Sequence, residues 1–131
     1  MSDGTVIVIH VPWVPDPRCS PNGGRCSERT RIRYRKKGAE VATYPVRGAR
    51  QRFEDGGAIF DGPVVLDLDV KWPKGRKVWD SDNLTGSYKY VRDVLETEGI
   101  VSNDRNIQIG EIRQTHTDGQ EETVLTVRGI E

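Results

Sequence analysis

The segment from Pro63 to Trp72 constrains the fold of this chain more than any other, because one set of its alternate positions is entirely apolar. These positions are Val64, Leu66, Leu68 and Val70. Successive side chains of a β-strand point to opposite faces, so the pattern predicts a strand with one face in a core. The other face carries the carboxylates of Asp67 and Asp69.

Three more strands are predicted from similar patterns. The segment Thr5 to Val11 is dense in β-branched residues, which predicts a largely buried strand. Gln108 to Thr115 and Glu122 to Val127 are predicted to form the last two strands. The residues Thr117 to Gln120 between them include Asp118-Gly119, a strong signal for a hairpin turn.

A fifth strand is predicted over Thr30 to Arg35, where apolar and basic residues alternate. Ile32 and Tyr34 share one side of this segment. The other side carries Arg31, Arg33 and Arg35. The pattern predicts a half-exposed strand with an arginine-lined face.

Two helices are predicted. The segment Ala39 to Phe53 favours a helix in which Thr43 caps the N-terminus and Pro45 occupies the first turn. A second helix is predicted from Asp82 to Glu98 and ends at Gly99. Its apolar residues step by four, three and four: Leu84, Tyr88, Val91 and Leu95.

The order of these elements predicts an α+β fold, a mixed β-sheet with about two helices packed on it. The chain has 131 residues, so residues 1–131 are expected to form one domain. No apolar run approaches the length of a membrane span, and Met1 to Gly4 lacks the features of a signal peptide. We therefore expect a cytoplasmic protein with no membrane partner.

Charge is distributed unevenly along the chain although its net charge is zero. From Glu28 to Arg52 there are nine Lys or Arg residues and two acids, a local charge of +7. From Asp93 to Glu131 there are nine acids and three arginines, a local charge of −6. One basic surface can bind a polyanion such as DNA despite the neutral total, and the alternative is ordinary solvated surface charge.

Cys19 and Cys26 frame a polar loop within a proline-rich segment. A stable disulfide is not expected in a cytoplasmic protein, and the spacing matches no common zinc pattern. We expect free thiols.

Acidic residues around the second helix point to metal chemistry. Asp80 and Asp82 stand at positions i and i+2, so in an extended segment their carboxylates project to the same side and repel. A divalent cation such as Mg²⁺ relieves that repulsion. Lys74, Arg76 and Lys77 lie just upstream, where they can neutralise phosphates, and this combination is typical of a phosphodiester nuclease.

Asp104 follows the same helix. A helix of about seventeen residues spans roughly 25 Å, so Asp104 meets Asp80 only if the connection folds back or a second chain supplies it. Asp67 and Asp69 repeat the i, i+2 spacing and are rival metal ligands. A solvated strand face is the preferred interpretation for them, because no basic cluster adjoins them on their strand.

The segment Asp80-Ser81-Asp82-Asn83-Leu84, followed by Lys89, Asp93, Leu95, Gly99 and Asn103-Asp104, resembles the RusA family of Holliday-junction resolvases. The basic residues before the motif and the proline-rich segment Val11 to Pro15 resemble that family as well. The similarity is most convincing over residues 63 to 115. It implies a RusA-like fold and a homodimeric endonuclease that resolves four-way DNA junctions in recombination and repair.

The resemblance also implies roles for particular residues. Mg²⁺, for which Mn²⁺ can substitute, would be held by Asp80, Asp82 and Asp104, with Lys89 as a further catalytic residue. The residues implied to bind DNA are Lys74, Arg76, Lys77, Asn83, Arg31, Arg33 and Arg35. A bacterial host and a phage or prophage origin would fit the family.

The chain departs from the family motif in two places. Gly86 stands where the family has its lysine, so Lys89 matches only if three residues are inserted before it. Asn103 stands in place of the first acid of the trailing pair. Two alternatives follow, a junction-binding accessory protein without catalysis and a metal-dependent phosphohydrolase acting on nucleotides. A third is that the acids are only caps and turns, as Asp82 can be at the helix N-terminus.

Overall fold

Four strands form one mixed sheet in the order β1-β4-β2-β3. The strands are β1 (Val6–Val11), β2 (Val64–Pro73), β3 (Ile107–Thr117) and β4 (Glu122–Gly129). β4 is antiparallel to both β1 and β2, whereas β2 and β3 are parallel. The computed structural model describes residues 5–15, 27–53, 57–79 and 81–130, with the backbone alone for 81–83.

Three helices complete the fold: α1 (Glu28–Gln51), α2 (Ser81–Ser87) and α3 (Lys89–Thr97). Alternate residues of β1, β2 and β4 are buried, and they form one core with the apolar faces of the helices. Among its largest fully buried side chains are Trp72, Tyr88, Phe60 and Leu66. The predicted α+β class and the mixed sheet are therefore confirmed, as a single small domain.

The predicted strand over Thr30 to Arg35 is wrong, because these residues belong to the 24-residue helix α1. Ser27 caps this helix, and its hydroxyl accepts a hydrogen bond from the Thr30 amide at 3.2 Å. A buried stripe follows at helical spacing: Gly38, Ala42, Val46 and Ala49. Burial of this stripe stabilises a helix that the short alternating segment alone does not indicate.

The predicted helix start at Thr43 is also wrong. Thr43 lies in the middle of α1, where its hydroxyl donates to the carbonyl of Ala39 at 2.9 Å. Pro45 likewise lies inside the helix. A proline in a helix interior removes one hydrogen bond and costs about 3 kcal/mol, which the packing of the stripe offsets here.

The predicted helix from Asp82 to Glu98 is divided at Tyr88, between α2 and α3. The amide of Tyr88 donates to the carbonyl of Thr85, a 3₁₀-type contact that ends α2. The predicted apolar stripe of this region is confirmed, since all four of its residues are buried. Because the helix is not continuous, the position of Lys89 relative to Asp82 does not follow from the geometry of a single helix.

Gly99 ends α3 in a Schellman motif, as the sequence predicts. Its φ is 83°, and the amide of Ile100 donates to the carbonyl of Leu95 at 2.8 Å. Val101 then bridges to Phe60, and a short 3₁₀ helix (Asp104–Asn106) leads into β3. The chain therefore turns back along α3, where the Asp104 amide donates to the Glu96 carboxylate.

Asp67 has a structural role on the open face of the sheet. Its carboxylate accepts a hydrogen bond from the Glu111 amide at 2.7 Å, at the point where the β2–β3 register shifts. The second carboxylate oxygen lies 3.5 Å from the Nε atom of Arg128. A side chain on Gly110 would collide with this carboxylate and with Val65. Asp67 thus stabilises a β-bulge and is not simply solvated.

None of the helices in the described ranges is long and apolar enough to cross a bilayer. Cys19, Cys26 and most of the proline-rich loop lie outside the described residues.

Candidate active site

A small pocket on α3 combines two acids and two cations, and one of the four residues, Asp104, comes from beyond the helix. It is lined by Lys89, Arg92, Asp93 and Asp104 and has a volume of about 130 Å³. Lys89 and Asp93 stand one helical turn apart, so they share a side of α3. The turn at Gly99 and the return of the chain supply Asp104 to the same place.

The two carboxyl groups of the pocket interact with each other. Partial burial raises the pKa of Asp93, and the charge of Asp104 and a hydrogen bond with its side chain raise it further. Lys89 and Arg92 act on this pKa in the opposite direction. The pocket therefore places two acids close enough to compete for a proton or to share a cation.

Asp104 is held in position through its backbone. Its amide donates to the Glu96 carboxylate of α3 at 2.6 Å, and the side chain of Asn103 accepts the Arg105 amide at 2.9 Å. Asn103 is thus the N-cap of the 3₁₀ helix.

Arg92 lines the pocket as its second cation and is half-buried. Its Nε atom is buried and has no hydrogen-bond partner among the described residues. A guanidinium can hold an oxyanion such as phosphate through its N–H groups. Lys89 is exposed, with its ammonium 5.8 Å from the centre of the Tyr90 ring.

The other predicted metal ligands are not tested by these contacts. Asp80 lies outside the described residues, and Asp82 and Asn83 are described only as part of the α2 backbone. Of the predicted catalytic set, the structure brings together Asp104 and Lys89. Within the described part of the chain, no group of three or more His, Cys, Asp or Glu residues forms a metal-binding cluster.

The basic loop between β2 and α2 is anchored by Gln114. The side-chain oxygen of Gln114 accepts hydrogen bonds from the Trp72 indole at 2.9 Å and from the Trp79 backbone amide at 3.0 Å. The side-chain nitrogen of Gln114 donates a hydrogen bond to the Trp79 carbonyl at 2.8 Å. Trp72 is fully buried, so its ring packs in the core.

A tight turn directs the basic side chains of this loop. The Arg76 amide donates to the Pro73 carbonyl at 3.1 Å, and Gly75 between them has φ of 88°, as a type II turn requires. Lys74 and Lys77 are exposed. Arg76 is instead half-buried: it donates to the Pro15 carbonyl at 3.2 Å, and its guanidinium lies 5.6 Å from the Trp72 ring centre.

The three arginines of α1 do not share one face. At 100° per residue, Arg31 and Arg35 lie on the same side of the helix and Arg33 on the opposite side. Arg33 is exposed, whereas Arg31 and Arg35 are half-buried. Their Nε atoms have no hydrogen-bond partner within the described ranges. The predicted arginine-lined strand face is therefore replaced by two separate sides of a helix.

Sequence reasoning missed Arg92 and Asp93 as site residues. The available signal was the i, i+4 spacing of Lys89 and Asp93 on a helix whose apolar stripe faces elsewhere. The pairing of Asp93 with Asp104 depends on the return of the chain after Gly99, which that spacing does not specify.

No protein-family profile matches the chain, and no curated protein matches it at a significant level of similarity. The resemblance to the RusA family therefore depends on the quoted motif residues alone.

Proposed function

We propose that the protein is a Mg²⁺-dependent, structure-selective endonuclease that resolves four-way DNA junctions. The observation that supports this proposal most is the meeting of Asp93 and Asp104 with Lys89 and Arg92 in one pocket. Cleavage of a phosphodiester needs carboxylates for a metal and cations for the phosphate, and this pocket offers both.

The residues of the pocket fit a hard divalent cation. Asp104 and Asp93 present adjoining carboxylates, the ligand type that Mg²⁺ prefers. We assign Asp104 as a ligand, with Asp93 beside it and with Asp80 and Asp82 of the motif completing the set. When bound, Mg²⁺ would supply Lewis-acid polarisation of the phosphate and a water of lowered pKa.

The cations of the pocket have a separate task. The Arg92 guanidinium can hold a phosphate oxygen through its N–H groups, and Lys89 can place its ammonium against the same group. Charge that develops on the phosphate during cleavage is then stabilised by fixed donors. Lys74 and Lys77, exposed on the basic loop, are assigned to neighbouring phosphates of the DNA backbone.

Symmetric resolution of a junction requires two cuts, so the proposal includes a homodimer with one site per subunit. Sedimentation of the purified protein would test this part separately. Action on recombination intermediates in a bacterial cell, with a phage or prophage origin, is consistent with the same proposal.

A labelled four-way junction tests the proposed activity. The purified protein is incubated with the junction in MgCl₂ and, in parallel, in EDTA, and products are resolved on a denaturing gel. We expect paired nicks near the crossover in MgCl₂ alone. Absence of metal-dependent nicking of this junction by the wild-type protein would refute the proposal.

Two matched variants locate the chemistry. Asp104→Asn removes one pocket carboxylate, and we expect cleavage to fall about 100-fold or more with junction binding retained in EDTA. Glu111→Gln also removes one negative charge, at an exposed residue that pairs with Arg113, and should leave cleavage unchanged. Equal activity of the two variants would exclude Asp104 from the site.

A junction-binding protein without catalysis is the second candidate, favoured by Gly86 at the position of the family lysine. Among the described residues, a side chain at Gly86 would meet no atom within 4 Å, so their packing does not require glycine there. Tight junction binding without cleavage in Mg²⁺ or Mn²⁺ would select this candidate. If Gly86→Lys then restored cleavage, the missing lysine would be the cause.

A further inference from the structure

A second pocket, of about 330 Å³, lies at the end of the sheet where β1 and β2 finish and β4 begins. Its lining includes Trp13, Pro15, Tyr34, Lys37, Arg76 and Glu121. It shares no residue with the pocket of Asp93 and Asp104. The volume lies at the lower end of the range for small-ligand sites, about 300–1,000 Å³.

Packing and hydrogen bonds fix the walls of this pocket. The Trp13 indole lies against α1 at Gly38, where an added Cβ would be only 2.8 Å from the ring. On its other side the indole meets Tyr88 edge-on, with ring centres 5.4 Å apart. The hydrogen bond from Arg76 to Pro15 joins the basic loop to the end of β1. The pocket is therefore formed before any ligand arrives.

The lining combines three chemical features. Tyr34 offers half-exposed aromatic surface beside the nearly buried Trp13, Lys37 and Arg76 offer positive charge, and Glu121 adds one half-buried carboxylate. A flat aromatic ligand with a single anionic group fits all three, because aromatic rings stack and cations hold phosphate. The carboxylate repels the anionic end and accepts N–H groups from the edge of a base.

We propose that the second pocket binds one unpaired nucleotide of branched DNA, with its base against Tyr34 and its phosphate on Lys37 and Arg76. This inference rests on the proposed function in taking DNA as the polymer. Branch points supply nucleotides freed from pairing, so the pocket would favour branched DNA over a continuous duplex.

A short fluorescent oligonucleotide tests the pocket without any cleavage. The probe is a trinucleotide with 2-aminopurine between two thymidines, titrated in EDTA, because 2-aminopurine loses fluorescence when it stacks. With the wild-type protein we expect saturable quenching that weakens as salt rises. A probe that shows no quenching with the wild-type protein would overturn the inference.

Neighbouring lysines of α1 provide a matched pair of variants. Lys37→Gln should weaken binding of the trinucleotide about fivefold or more. It should also reduce the slope of the logarithm of the binding constant against the logarithm of the salt concentration by about 0.7. Lys36→Gln removes the same charge from the next residue, outside the pocket, and should change binding less than twofold. Equal effects of the two substitutions, or none from Lys37→Gln, would refute the inference.

Tyr34→Leu tests the aromatic wall, and circular dichroism checks its fold. We expect quenching to fall about fivefold or more while salt dependence is retained; unchanged quenching would contradict the inference. Junction cleavage is measured on the same proteins. If the junction is cleaved but trinucleotide binding does not depend on Lys37, only the nucleotide pocket is overturned. If trinucleotide binding depends on Lys37 but the junction is not cleaved, only the proposed activity is overturned.

Discussion

Arg47 on α1 binds Glu98 at the end of α3 through two hydrogen bonds, Nε to Oε1 at 2.9 Å and Nη2 to Oε2 at 3.2 Å. Toward the start of both helices, Lys36 lies against Tyr90. Between the Lys36–Tyr90 contact and the Arg47–Glu98 contact, the residue number increases along both helices. Therefore α1 and α3 run side by side in the same direction. Their N-terminal ends therefore lie at one end of the molecule, where Lys36 and Lys89 converge.

The Arg47–Glu98 pair gives a prediction about acid stability. The hydrogen bond with Arg47 is the largest cause that lowers the pKa of Glu98 in the folded protein. A carboxyl group whose pKa is lowered by folding stabilises the folded protein at pH values above the ordinary glutamate pKa. This stabilisation is lost as the pH falls through the pKa of the folded state. Glu98→Gln should thus lower the thermal midpoint by a few degrees at pH 7 and have little effect near pH 3.

The matched control for this prediction is Glu40→Gln, which removes an exposed pair with Lys37 at 3.6 Å. Exposed pairs contribute little, so this variant should unfold like the wild type at both pH values. Differential scanning calorimetry from pH 3 to 7 gives all the midpoints. An effect of Glu98→Gln that persists undiminished at pH 3 would contradict the assignment.

Asp93 gives a prediction of the opposite sign. Burial and the neighbouring Asp104 raise the pKa of Asp93 in the folded protein. Its contribution to stability is therefore fully present at pH values below the ordinary aspartate pKa, and it is lost as the pH rises through the pKa of the folded state. In EDTA at pH 7, Asp93→Asn should therefore be more stable than the wild type. The difference should vanish toward pH 3.

Thermal unfolding with and without MgCl₂ extends this test. Binding to the folded state stabilises a protein, so Mg²⁺ should raise the midpoint of the wild type more than that of Asp93→Asn. Asp118→Asn, in the β3–β4 turn, should respond to Mg²⁺ as the wild type does. A destabilised Asp93→Asn in EDTA at pH 7 would show that this carboxylate has a structural role.

Two glycines of α1 allow a test of packing within a single helix. A Cβ on Gly48 would meet no atom within 4 Å, so Gly48→Ala should stabilise the protein by about 0.5–1 kcal/mol through helix propensity. A Cβ on Gly38 would lie 2.8 Å from the Trp13 ring, so Gly38→Ala should cost about 1–3 kcal/mol. Urea unfolding gives both values. Stabilisation by both substitutions would mean that the indole moves away freely.

The four strands and the second half of the first helix could be predicted from sequence, whereas the first half of that helix could not, for a physical reason. In β2, four apolar residues at period two are enough to specify a buried face. In α1, the stripe of Gly38, Ala42 and Val46 is built from small residues whose helical periodicity is weak. Pro45 also indicates a break, and only packing against the core overrides that local preference.

The candidate site could be predicted only in part. Asp104 and Lys89 follow from the motif and its spacing, and both line the acidic pocket. The contribution of Asp93 depends on how far the chain returns after Gly99, which is set by the contact of Val101 with Phe60 on a separate segment. Contacts between distant segments are not encoded in local periodicity.

A buried hydrogen-bond chain beneath the second pocket gives the last prediction. The Thr123 hydroxyl donates to the Trp13 carbonyl at 2.8 Å, so it accepts its hydrogen bond from the Tyr88 hydroxyl. Burial raises the pKa of Tyr88, which keeps the phenol protonated as this donor. Tyr88→Phe removes only the donor, and should cost about 1 kcal/mol.

Thr123→Val should cost more, about 2–4 kcal/mol, although it preserves shape. It leaves both the Trp13 carbonyl and the Tyr88 hydroxyl buried without their partner, and each unsatisfied group costs roughly 1–3 kcal/mol. The double variant Tyr88→Phe/Thr123→Val should be less destabilised than the sum of the two, because only the carbonyl then remains unsatisfied. Urea unfolding of the three proteins measures this coupling, and strict additivity would show that the two hydroxyls act independently.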